Sequence, residues 1–154
     1  MSQNTLFKWF GLGAIPKKIR PVLVEEGIVL SDEGIFGRLI KRHVSQPGMR
    51  CSYRSEGFCG SLVITKKRIA CFTFHKRQMS IGVDDPKLSE LFIHTPKKNT
   101  LSISFESSTF HDTWSGVFEF RFKTENSEEF KDLLLSLGAQ HGTPIEADQI
   151  HRAG

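Results

Sequence analysis

Arg50 and Arg54 lie in a polar stretch over 45–57, and Lys76 and Arg77 follow His75, with Lys41, Arg42 and His43 upstream. A guanidinium can fork two oxygens of one phosphate, and an ammonium supplies a mobile point charge. Converging on one end of a fold, such residues hold an anionic headgroup. The competing reading is plainer: hairpin turns carry Lys and Arg to stay soluble and to keep a sheet edge from pairing.

Catalytic chemistry is harder to assemble. His43, His75, His94, His111, His141 and His151 are scattered, with no HExxH spacing and no Cys/His cluster at ligand distance, which argues against a metal centre. His111-Asp112 stands beside Ser107 and Ser108, but neighbours in a loop do not define nucleophile, base and orienter, and there is no nucleophile elbow. Gly11-Leu12-Gly13 lacks the rest of a nucleotide-binding fingerprint. The expectation is a protein without catalytic residues or cofactor.

Composition narrows the partners. A net charge of +4 and a basic balance favour anionic partners: a phospholipid surface, a nucleic acid or an acidic protein. Nucleic acid ranks last, because the 13 Phe alternate as core residues rather than lying exposed beside Arg for base stacking. Cys51, Cys59 and Cys71 make an odd count with no CxxC pair, so neither a disulfide framework nor a structural zinc is indicated, and a reducing, cytoplasmic setting fits. No apolar run is long enough to span a bilayer, and the N-terminus lacks the order of a secretory signal. Phe7, Trp9 and Phe10, with Lys8, Lys17, Lys18 and Arg20, have the composition of an interfacial anchor that would touch a membrane peripherally. Packing across an edge strand is the other use of that segment.

The elements that must position these groups are mostly strands. Within 154 residues, enough for one packed core, candidate strands run over 35–44, 58–65, 68–74, 78–83, 89–94, 100–106 and 116–123, each bounded by Gly, Pro, Asn, Asp or Ser. Leu101, Ile103 and Phe105 alternate with Ser102 and Ser104, while Phe118, Phe120 and Phe122 alternate with Glu119 and Arg121. Both are half-buried, antiparallel patterns. With Lys66 and Lys67 as a two-residue turn, Ile64 faces Ile69 and Leu62 faces Cys71, and Cys59 points to the opposite face. The punctuation over 26–35 predicts a turn, Pro21 a stop to any preceding helix, and the span 45–57 a loop.

The period then changes. Phe130, Leu133, Leu134 and Leu137 fall at i, i+3, i+4, i+7, so 126–137 is an amphipathic helix, with Asn126 or Ser127 to cap it and Gly138 to stop it. Such a stripe must be buried against the strands, and losing Phe130 or Leu134 should unfold the domain.

Gly60-Ser-Leu-Val-Ile-Thr65 followed by Lys67-Arg-Ile-Ala-Cys-Phe72, with Val22-Leu23-Val24-Glu25-Glu26 ahead and a Phe-rich strand plus helix behind, resembles the pleckstrin-homology-like superfamily, in its GRAM and bacterial PH-like branch. The resemblance covers roughly 21–137. It implies a mainly β fold, a seven-stranded antiparallel sandwich or partly open barrel capped by a C-terminal helix. It also implies that the 45–57 loop and the turn at Lys76 and Arg77 share the open end, so that Arg50, Arg54, Lys76 and Arg77 would hold a phosphoinositide-like headgroup. The expected organisation is an N-terminal extension over 1–20, the domain over 21–138 and a flexible tail over 139–154. The expected function is a binding module for anionic lipid headgroups at a membrane surface; the alternative is a protein-interaction module of the same fold with no lipid ligand.

Overall fold

The structure, a computed structural model, describes residues 13–74 and 76–144. Phe7, Trp9, Phe10, His75 and the end of the tail lie outside the described residues. The chain is mainly β, with 56% of residues in strands. In order, the elements are α1 (Arg20–Glu26), β1 (Ile28–Gln46), β2 (Met49–Thr65), β3 (Arg68–Thr73), β4 (Lys76–Gly82), β5 (Phe92–Lys97), β6 (Thr100–Glu106), β7 (Ser115–Lys123), α2 (Ser127–Leu137) and β8 (Gln140–His141). Eight strands thus form among the described residues, where seven were expected. They fall into two compact units, 13–37 with 57–88 and 38–56 with 89–144, whose boundaries lie inside β1 and β2.

In the first unit the strands pair in the order β4-β3-β2-β1. Antiparallel β2 and β3 set Ile64 opposite Ile69 and Leu62 opposite Cys71, the register expected from a Lys66-Lys67 turn. Thr65 holds that turn, its Oγ1 accepting the N–H groups of Lys67 and Arg68 at 3.1 and 3.0 Å. Ile15, Leu23, Val63, Ala70 and Phe72 form one core cluster on one face of this pair, while Leu62, Ile64, Ile69 and Cys71 are buried on the other. Burial on both faces is why the run reads as continuously apolar rather than alternating.

Pro21 does not stop a helix; it sits in the first turn of α1, where its missing N–H removes no helical bond. The turn expected over 26–35 is absent, for β1 begins at Ile28. Its polar punctuation is spent on the preceding segment instead. Glu33 accepts from the Ile15 N–H at 2.8 Å and pairs with Arg20, and the Gly34 N–H, at φ 64, donates to the Gly13 carbonyl at 3.1 Å.

In the second unit the order is β2-β1-β7-β6-β5-β8. The register of β6 and β7 puts Leu101, Ile103 and Phe105 opposite Phe122, Phe120 and Phe118 on one face, with Ser102 and Ser104 opposite Arg121 and Glu119 on the other. Helix α2 packs on β5 and β6 and buries Phe130 and Leu134 completely. Gly138 ends it at φ 125, as its type allows. The N-terminus differs from expectation: Asn126 and Ser127 make no side-chain cap, and Thr124 Oγ1 accepts the Asn126 N–H at 3.1 Å instead.

Three other expectations are corrected. The span 45–57 is not a loop; only Pro47 and Gly48 turn, and β2 starts at Met49, because side chains exposed along both neighbouring strands erase the apolar alternation that marks a strand. The strand expected over 89–94 starts only at Phe92 and runs on to Lys97, since Pro86–Glu90 is a 3₁₀ turn opened by Asp85, whose carboxylate accepts the Lys87 N–H at 2.9 Å. The chain past Ala139 is not all a loose tail. Gln140 and His141 pair in parallel with Phe92 and Ile93, the Gln140 N–H reaching the Leu91 carbonyl at 2.8 Å.

Candidate functional site

Lys76 and Arg77 open β4, opposite Thr73 and Phe72 of β3. Both are exposed and neither joins an ion pair among the described residues. Period two would carry Phe74 into the core beside Phe72, and the sequence reading placed it at the end of a strand. The backbone turns first. At φ 47, left-handed and rare for a bulky residue, Phe74 is 50% exposed, while its N–H stays fixed to the Cys59 carbonyl at 3.0 Å. A bulge at Cys71/Phe72 lets Gln78 reach back, its amide donating to Thr73 Oγ1 at 2.7 Å. The turn is therefore anchored from both strands while presenting one ring and two cations.

Arg50 and Arg54 belong to β2 in the second unit, at positions that share one face of the strand. Arg54 pairs with Glu56 at 2.6 Å, and Arg50 makes a long 3.4 Å bond to Ser45 Oγ. The structure thus leaves Arg50 and Arg54 about 13 Å apart along one strand, and puts Lys76 and Arg77 in the other unit, so the four do not form one cluster within a unit. The cations expected to approach along the first strand face other partners: Lys41 Nζ lies 5.2 Å from the Phe118 ring centre, and Arg42 packs 6.0 Å over Tyr53.

Sequence reasoning missed the most buried charge among the described residues. Glu119 on β7 is 2% exposed. Arg42 Nη1 donates to its Oε1 at 2.8 Å, while Arg121 Nε at 2.8 Å and Ser102 Oγ at 2.6 Å donate to its Oε2. Burial pushes this carboxyl up, but the bonds from Arg121, Ser102 and Arg42 together outweigh it and hold it below the usual carboxylate range. Glu119 is therefore ionised at neutral pH. Beside it opens a cleft of about 220 Å³ lined by Arg42, His94, Ser104, Glu119, Arg121 and Thr143. The Ser104 hydroxyl is buried there without a hydrogen-bond partner among the described residues.

The signal that could have revealed the cleft is Glu119-Phe-Arg121, two opposite charges at strand period beside Ser102 and Ser104. It reads as an ordinary solvated face, because nothing local shows that Arg42 and Thr143 will cover it. His111 stacks on Trp114 at 3.7 Å, and Cys59 and Cys71 are buried thiols, the latter raised by burial to about 12 and so unreactive. Among the described residues no cluster of His, Cys, Asp and Glu could hold a metal, and no helix is long and apolar enough to cross a membrane. No family model and no curated protein matches this chain.

Proposed function

We propose that the chain is a non-catalytic binding module of the pleckstrin-homology-like kind, and that it engages anionic lipid headgroups at a membrane surface. The observation that supports this most is the β3–β4 turn, where half-exposed Phe74 precedes Lys76 and Arg77, which make no ion pair among the described residues. An aromatic ring at headgroup depth with adjacent cations is how peripheral proteins rest on a bilayer. Each cation near an anionic leaflet contributes about 1 kcal/mol, so this turn alone makes a weak contact that salt weakens further. Arg50 and Arg54 carry charge of the same sign in the other unit, with Arg54 paired to Glu56.

Co-sedimentation with vesicles of phosphatidylcholine, with and without phosphatidylserine, tests the reading. Binding should need the anionic lipid, fall with salt, and be lost in the double variant Lys76→Glu, Arg77→Glu. No binding at low salt, or equal binding by that variant, would refute it.

A further inference from the structure

The Glu119 cleft carries more donors than it uses. Arg42 and Arg121 bring two positive charges, Glu119 cancels one, and each guanidinium spends a single N–H on the carboxylate. The Arg42 and Arg121 side chains keep 24% and 34% of their surface open. Ser104, opposite Glu119 in the β6/β7 register, adds a buried hydroxyl with no partner among the described residues. Burying such a group has a cost that a ligand oxygen would remove. The one negative group, by contrast, is engaged: both oxygens of Glu119 already receive bonds.

An excess of donors, one surplus positive charge and a volume below that of a drug-sized pocket define the complement. We propose that this cleft binds a monoanionic two-oxygen group, the chemistry shared by a carboxylate and a phosphodiester. The ligand lays its two oxygens against the open N–H edges of Arg42 and Arg121, the planar geometry guanidinium favours, and takes the Ser104 hydroxyl as a third donor. Glu119 orients both guanidiniums and keeps the site from taking up a dianion in preference. Lipid binding by the β3–β4 turn is not required for any of this.

Amide chemical-shift titrations with acetate and with dimethyl phosphate, each against chloride at equal ionic strength, test it. At least one probe should give saturable shifts at Ser102, Ser104, Glu119 and Arg121 that chloride does not reproduce. The stronger probe tells a free carboxylate from a phosphodiester. Ser104→Ala should weaken that probe about three- to tenfold, while its unfolding midpoint stays at or above that of the wild type. Shifts that chloride reproduces, shifts that never saturate, or wild-type affinity in Ser104→Ala would each overturn the proposal.

Discussion

Arg68 on β3 grips Glu26 at the end of α1 with both ends of its fork, Nε lying 2.8 and 2.9 Å from the carboxylate oxygens and Nη2 2.6 Å from Oε2. Thr65 Oγ1 donates to the same carboxylate at 3.1 Å, so one side chain ties the short helix to the β2–β3 turn. A seven-residue helix cannot hold itself in water, and α1 exposes Val22 and Val24 while burying Leu23. Leu23 in the core and this clamp together hold it in place.

Removing Arg68 should therefore cost more than a surface ion pair does. The Glu26 side chain is 7% exposed, and Arg68→Ala would leave its charge buried without its main partner. A loss of about 2–3 kcal/mol in urea unfolding is expected, discounted from a fully buried pair because Arg68 is partly open to water. The double replacement Glu26→Gln, Arg68→Met should recover most of it; a loss under about 0.5 kcal/mol for Arg68→Ala would show the clamp to be idle.

Acid should find the same groups. Glu26 is held below the ordinary 4.5 by the Arg68 hydrogen bond against the opposing effect of burial; Glu119 is held below it because three donors outweigh burial. Both pKa values are depressed by folding, so their contribution is complete above 4.5 and is lost as pH falls through the lower folded values, where the unfolded chain binds more protons. Urea midpoints should fall below about pH 4.5 less steeply in Glu26→Gln than in wild type. Parallel curves would contradict the assignment.

Phe74→Gly separates stability from binding. Glycine releases the left-handed strain, worth about 1–2 kcal/mol, against an entropy cost of about 0.5–1 kcal/mol, so the variant should be level with or slightly more stable than wild type. Its affinity for phosphatidylserine vesicles should nevertheless drop severalfold. A variant that loses stability and keeps its vesicle affinity would show Phe74 to be a packing residue.

Phe130→Ala and Leu134→Ala should each cost about 3–5 and 2–5 kcal/mol, since both side chains are wholly buried under α2. Calorimetry should find either variant largely unfolded or its midpoint lowered by many degrees. A small shift in both would mean α2 is not what closes the second unit.

Gly60→Ala should be damaging too. A Cβ there would meet the Phe72 carbonyl oxygen across the β2–β3 pair, forcing the strands apart at about 1–3 kcal/mol. Wild-type stability in thermal unfolding would show that β2 can yield at this point.

The elements best read from sequence are those whose burial is local and periodic. β6 appears at the bounds expected, 100–106, because Leu101, Ile103 and Phe105 alternate cleanly, and α2 follows its stripe of Phe130 and Leu134. The β2–β3 register followed from turn length alone. What failed depends on distant partners. Gly34 and Glu33 look like a turn until Gly13 and Ile15 pair with them, and Arg50 and Arg54 look like a loop because exposed strands carry no apolar code. The cleft was hidden for the same reason: Ser104 and Glu119 are buried by residues from β1 and from beyond β8.

Within its unit β4 is the terminal strand, so one row of its backbone N–H and C=O groups has no neighbouring strand among the described residues. Lys76 and Arg77 stand at the start of that row, where their mutual repulsion with an identical strand from another copy discourages cross-pairing. Neutral replacements there would invite fibril-like self-association, whereas paired glutamates invert the sign and keep the chains apart.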